Sequence, residues 1–562
     1  MSVLGKRIGS GMSDTISKLA KNTELLWLSP SDLKNTILDN LLVDYLNRVG
    51  EIVHGFTRGS IEFNSSLFDL GNRFESLVIS NIRSSGIPIK EITNIRSYEK
   101  WPETVRALRE GVPIIYQGPL VSESRRYRGI PDLLVRSDYV NKLFKNPVME
   151  EGTRLGYVVI DIKFSTLPLL KNNTILRSEP KTKLYKSQLW MYNEMLKEVL
   201  GYGFDYAFIL GRGLEWVGNR VNTYDVSPGK VVFDDEFRKE MIELIEKKRR
   251  FENYINQIKL EDALILPNMK VPEQYDEGWS HAKRAIAEKH GEITLLPNCG
   301  IKQREKALAL GITNFRDQRC TSSVLGIGGP ILSRLVDKVL WINQRSDMMV
   351  NPLSIGNLDW KKPNGIDLFV DFETVGDLCA ERFETLPASQ KGNIAFLIGV
   401  GWYVNEVWNF KKFLVRKIDF DEERHIFNNF AVFVNEMKGV HGNARLFHWG
   451  HIEASHFKKV QELHKVRLQA NWIDMCKELK NIPVVVSGAF GFGLKEYARA
   501  MYRNGLIDIK WTEGVGSHDI MNRMIGKWGI VVKEEEHADV IKYNEEDCQV
   551  MSAIIKYFQK YH

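Results

Sequence analysis

The run Ile366-Asp-Leu-Phe-Val-Asp-Phe-Glu-Thr374 is apolar enough to be a buried strand, yet it carries Asp371 and Glu373 two residues apart. Side chains in a strand alternate faces, so these two carboxylates point the same way. Two anions side by side repel, and burying them without a cation is costly. A divalent metal ion between them is the economical arrangement. Near the far end, residues 540–558 have helical period, with Val550, Ile554, Ile555 and Phe558 on one stripe. Tyr543 and Asp547 are four apart and share a face of that helix. A carboxylate one turn beyond a phenol can bind a metal while the hydroxyl orients a water against a phosphate. Between these ends, residues 445–460 pass from strand to helix with Glu453 near the junction, and Asp474 stands ahead of another helical run. His448, His451 and His456 offer imidazoles for a zinc site, although ordinary polar residues at a strand end account for them more simply.

A second constellation lies earlier. Asp161-x-Lys163 closes a strongly apolar strand, Pro131-Asp132 precedes another, and Gln188-x-x-x-Tyr192 lies on a helix. Upstream, Glu75 shares a helix with Arg73. Asp161 and Lys163 share a strand face, so the ammonium would sit next to a metal and lower the cost of clustering anions. Taken singly, each of these spacings is ordinary. Asp-x-Lys makes a buried ion pair, Gln and Tyr make a helix surface, and Asp-x-Glu or Tyr-x-x-x-Asp make surface or capping acids. Their occurrence together and in order favours metal-dependent chemistry on a phosphodiester.

The elements that must position these groups follow from periodicity and turn residues. A capped helix is predicted over 28–50, with Ser31 or Asp32 at its start, and a second over 66–86. Strands are predicted within 112–121, 130–137 and 156–166, a helix over 183–202 and a strand over 205–213. That helix-strand-strand-strand-helix-strand order describes an α/β domain ending near residue 260. Residues 270–345 are charged and helical. Within them, 296–318 has the pattern of a helix-hairpin-helix, in which the Gly300 turn and Lys302 would contact a phosphate; a plain packing turn is the alternative. A polar joint at 351–365 leads to Asp371. Strands at 393–404 and 407–415 and a helix over 421–438 describe a second α/β unit.

Composition bounds the partners. The net charge is +6 (77 Lys and Arg against 71 Asp and Glu), a surplus that permits a nucleic-acid partner without requiring one. The basic runs 123–128 and 246–250 are compatible with phosphate contacts, but such runs are commonly solvated faces. No apolar run approaches the roughly 18 residues of a membrane span, and the first residues lack the apolar core of a secretion signal. The expectation is a soluble, intracellular protein without a membrane partner. Cys299, Cys320, Cys379, Cys476 and Cys548 form no Cys-x-x-Cys pair, which argues against zinc ribbons and cysteine-ligated iron–sulfur clusters.

The C-terminal acids resemble those of the DEDD exonucleases of the ribonuclease H-like fold. Asp371-x-Glu373 matches the first motif and Tyr543-x-x-x-Asp547 the tyrosine-bearing third. Where that family carries an Asp in its second motif, this chain has Glu453. His537, ten residues from Asp547, does not match the spacing of the histidine-bearing form. The N-terminal set resembles the PD-(D/E)xK nucleases, in particular the RecB-like branch with its Gln-x-x-x-Tyr helix. That resemblance implies metal binding by Glu75, Asp132, Asp161 and the Ile162 carbonyl. It also implies a charge-stabilising Lys163, with Gln188 and Tyr192 on the substrate side. The two in succession are similar to a family of RecB-like nucleases with a C-terminal exonuclease domain, often called YprB-like. The implied architecture is α/β: a mobile lead (1–25), a restriction-endonuclease-like domain (26–265), a helical connector (266–350) and a ribonuclease H-like domain (351–562). The implied function is phosphodiester hydrolysis of nucleic acid, DNA favoured and RNA the alternative, with magnesium or manganese. Two ions would bind in the C-terminal domain, a 3′-to-5′ exonuclease centre, and one or two in the N-terminal domain. No iron–sulfur cluster is expected. The alternatives are a chain with one working centre, the other domain serving as a binding platform, and a nucleic-acid-binding scaffold without turnover.

Overall fold

The computed structural model describes residues 26–52, 54–59, 62–92, 98–171, 174–257, 265–352, 358–376, 394–510 and 517–561. The lead expected over 1–25 lies outside them, as does Cys379. The chain is mixed α/β and divides into two compact units, one running to Ile286 and the other starting at Ala287. Residues 266–286 therefore fall in the first and 287–350 in the second. Among the described residues no helix is long and apolar enough to cross a membrane.

In the N-terminal unit, helices α1 (Leu41–Val49) and α2 (Glu62–Ser84) come first, then β1 (Ile89–Glu91) and α3 (Trp101–Arg109). Strands β2 (Ile114–Tyr116), β3 (Leu120–Ser122), β4 (Tyr127–Gly129), β5 (Leu133–Arg136) and β6 (Tyr157–Pro168) follow. Then come α4 (Pro180–Leu200), β7 (Tyr206–Trp216), β8 (Asn219–Val221), β9 (Gly229–Val232), α5 (Asp235–Gln257) and the first part, to Ile286, of α6 (Ser280–His290). The main sheet runs β1-β2-β5-β6-β7-β8, with β9 on β7 and a separate β3–β4 hairpin. β5 is antiparallel to both its neighbours, β2 and β6, whereas β6 and β7, joined through α4, are parallel. The single helix predicted over 28–50 is instead broken into short pieces before α1. Asp39 takes a left-handed φ of 53° between them, which no helix can carry through.

Strand parity decides where the chemistry points. Val158, Ile160 and Ile162 pack with Phe74, Val78, Ile79 and Ile82 of α2. Val159 and Leu134 pack on the opposite face, with Leu189, Trp190 and Met191 of α4. Asp161 and Lys163 continue the Val159 row and Asp132 the Leu134 row, so all three face α4.

The C-terminal unit opens with α7 (Ile301–Ala309) and α8 (Pro330–Asn343). Its sheet comprises β10 (Ile366–Val375), β11 (Ile394–Val404), β12 (Val407–Leu414), β13 (Ala444–His448) and β14 (Asn471–Asp474), ordered β12-β11-β10-β13-β14. β11 is antiparallel to both neighbours, and β10, β13 and β14 are parallel. Its helices include α9 (Phe420–His441), α10 (Ile452–His464), α11 (Met475–Asn481), α12 (Leu494–Arg503) and α13 (Ala538–Tyr561). Leu368, Val370 and Phe372 of β10 are buried with Phe427 and Phe430 of α9 and Phe457 of α10. The alternate row, Asp367, Phe369, Asp371 and Glu373, turns to the other face, where α13 lies across β10 and β11.

Candidate functional site

In the C-terminal unit the four predicted acids are brought together from three segments. Asp371 and Glu373 lie side by side on central strand β10. Glu453 sits in the first turn of α10, directly beyond the end of β13. Asp547 and Tyr543 stand one turn apart on α13, both buried. Their charges act on one another. Burial first, then Glu373, Asp547 and Glu453, push the Asp371 carboxyl well above its ordinary range. Burial and Asp547 push Glu373 up to about 7, while the Asn544 amide and the Lys495 ammonium pull the other way. Tyr543 hydrogen-bonds Asp547, and burial together with Asp547, Glu373 and Asp371 raises its pKa, so the phenol keeps its proton. The Lys495 ammonium lies 5.4 Å from the centre of the Tyr543 ring. Glu453 is held by His448, whose Nδ1 is 3.3 Å from Oε2. Among the described residues no three His, Cys, Asp or Glu side chains close around a common point as a ready-made metal cage. The acids are electrostatic neighbours with oxygen-only donors, a set suited to magnesium or manganese rather than zinc.

In the N-terminal unit Asp132 lies one residue before Leu133, whose cross-strand partner is Ile160, and so stands beside Asp161. The Ile162 amide donates to Asp132 Oδ2 at 2.6 Å. Burial, then Asp161, raises the Asp132 pKa well above the carboxylate range, with Glu75 adding to the push. Lys163 Nζ is 2.6 Å from Asp161 Oδ2. Burial pulls the pKa of this lysine down, but Asp161 and Asp132 outweigh it and raise the pKa, so it remains an ammonium. Gln188 Nε2 lies 3.4 Å from Asp161 Oδ1 and 3.0 Å from the Tyr192 hydroxyl, tying the helix pair to the strand acid. Glu75 reaches from α2 and accepts from the Tyr116 hydroxyl at 2.9 Å and from Gln117 Nε2 at 3.0 Å.

No family model, no curated protein and no solved structure matches this chain. The sites therefore stand on their own geometry.

Other predicted groups disperse. His448 binds Glu453, His451 is exposed at the start of α10, and His456 points to Glu423 of α9, its Nε2 2.9 Å from Oε1. His537 lies against Phe396, with Arg523, Glu536 and Asp539 among its charged neighbours and burial lowering its pKa. Asp474 is an N-cap whose Oδ1 accepts from Lys477 N and Gly450 N. Gly300 precedes α7, and its amide donates to Gln303 Oε1 at 3.0 Å; Lys302 is exposed in the first turn. The two basic runs meet, as Arg249 donates to the Arg125 carbonyl at 2.6 Å. Their charges are largely met by acids: Arg125 by Glu194, Lys247 by Asp39, and Lys248 by Asp44 and Glu252.

Sequence reasoning missed Asn544, Lys495 and Gln117. Asn544 directly follows Tyr543, but nothing in a linear pattern says that its amide reaches β10.

Proposed function

We infer that the chain is a divalent-metal-dependent nuclease acting on nucleic acid, DNA in preference to RNA. It would have a 3′-to-5′ exonuclease centre in the C-terminal unit and a RecB-like centre in the N-terminal one. The observation that carries this reading is the gathering of Asp371, Glu373, Glu453 and Asp547 beside a protonated Tyr543. Neighbouring acids that push up the pKa of Asp371 and Glu373 make a poor structural device. They make sense as ligands for cations. The C-terminal sheet, with its first strand central and bearing the acid pair, agrees with a ribonuclease H-like fold. The N-terminal order of helix, three antiparallel strands, helix and parallel strand agrees with a restriction-endonuclease-like fold.

Asp371, Glu373, Glu453 and Asp547 would hold magnesium or manganese in one unit, and Glu75, Asp132 and Asp161 in the other. Bound there, such ions supply an activated water and charge for the departing oxygen. The chain's own groups do the rest. Tyr543, kept protonated, would position the attacking water through its hydroxyl oxygen; it does not act as a base. Lys495 presents positive charge on the same side, where a phosphate would sit. In the N-terminal unit Lys163 remains an ammonium and serves as an electrostatic group beside the phosphate rather than as a proton acceptor. Gln188 and Tyr192 fix the orientation of Asp161.

The test is cleavage of end-labelled DNA and RNA with magnesium or manganese by the full chain, by Lys163→Ala and by Asp371→Ala. Each variant should lose the products of one centre and keep those of the other. Loss in only one variant assigns turnover to a single unit. If both variants cut like the parent, the two site assignments are wrong.

A further inference from the structure

Asn544 is fully buried on α13, between the two residues, Tyr543 and Asp547, that the nuclease reading uses. Its Nδ2 donates to Asp371 Oδ2 at 2.7 Å and to the Asp371 backbone carbonyl at 3.3 Å. Its own Oδ1 has no hydrogen-bond partner. A buried carbonyl without a donor costs stability, so packing alone would favour an apolar residue here. The opposite strand is shaped to admit the amide. Gly399 of β11 pairs directly with Asp371, and a Cβ there would lie 1.7 Å from Asn544 Oδ1. Only a glycine leaves the amide its room.

We propose that Asn544 is a positioning residue that holds Asp371 by one carboxylate oxygen and by its carbonyl, leaving the second oxygen to bind a divalent cation, with Gly399 providing the space. One carboxylate oxygen already accepts from the amide, so the other would be the freer of the two to take a cation. Partners of this kind, which orient a ligand without touching the ion, typically change metal affinity by about 10- to 100-fold.

The inference rests on the nuclease reading of the C-terminal acids, and its test separates the two. The full chain carrying Asp161→Ala serves as parent, so that uptake reports the C-terminal unit. Mn2+ binding is followed by electron paramagnetic resonance, and metal-free melting by calorimetry. Adding Asn544→Ala should raise the Mn2+ concentration at half-saturation about tenfold, with the metal-free melting temperature close to the parent's. Asn544→Ser, which keeps one donor, should fall between, and it decides the matter if the alanine variant does not fold. Gly399→Ala, which displaces the amide without touching an acid, should match Asn544→Ala. Parent-like Mn2+ affinity in Asn544→Ala or Asn544→Ser overturns the positioning role and leaves the nuclease reading standing. So does an affinity loss that appears only together with a collapse of the metal-free transition. A parent that takes up no Mn2+ overturns both.

Discussion

Acid should weaken the C-terminal unit through one buried carboxylate, Glu423. It lies on α9 and is 2% exposed. His456 Nε2 lies 2.9 Å from Oε1, His464 Nε2 3.0 Å from Oε2, and the Ala395 amide donates to Oε1 at 2.9 Å. Because the carboxylate is the acceptor, both rings must carry a proton on Nε2. Burial opposes the charge, but these bonds outweigh it and hold the pKa at about 2, below the ordinary 4.5. That difference is worth about 3 kcal/mol at about 1.4 kcal/mol per pH unit. The folded-state pKa is depressed, so the unfolded chain takes up the proton first. The contribution is fully present above pH about 4.5 and lost as pH falls towards 2, with roughly 2 kcal/mol gone by about pH 3. Urea unfolding of the full chain and of Glu423→Gln at about pH 6 and about pH 3 measures it, since titrating groups remote from Glu423, His456 and His464 cancel between the two proteins. The stability gap between them should shrink by about 2 kcal/mol on going to the lower pH. A gap of equal size at both pH values would refute the reasoning.

Asp474→Ala should leave cleavage intact and cost about 1 kcal/mol in urea unfolding, because Asp474 is a cap for α11 and not a ligand. Gly129→Ala would put a Cβ 2.5 Å from Tyr192 Cε1. It should cost about 1–3 kcal/mol and reduce the N-terminal cleavage products more than the C-terminal ones. Arg445 makes paired bonds to Asp367 at 2.7 and 2.9 Å and donates to the carbonyls of Trp360 and Lys362. Arg445→Ala should destabilise the unit by about 3–5 kcal/mol in denaturant titration, and the double variant Arg445→Leu with Asp367→Leu should recover most of it.

Much of the element pattern was legible in the chain because hydrophobic period is local. The strand at 394–404, the helix at 420–441 and the C-terminal helix all stand close to where period and turn residues place them. The helix expected over 28–50 was not legible, because its break depends on a backbone conformation at Asp39 that apolar period does not encode.

The candidate acids were likewise visible in the chain, since Asp371-x-Glu373 on a strand and Tyr543-x-x-x-Asp547 on a helix each define a face by themselves. Sequence by itself thus determined which residues could share a face and what chemistry their types allow. Only the tertiary structure decided that Glu453, and not Asp474, joins those acids, that Asn544 reaches across to Asp371, and that His456 belongs to Glu423. The physical reason is range. Periodicity fixes neighbours within a turn or a strand pair, whereas these contacts join positions tens to hundreds of residues apart, and the order in which strands enter the sheet decides them.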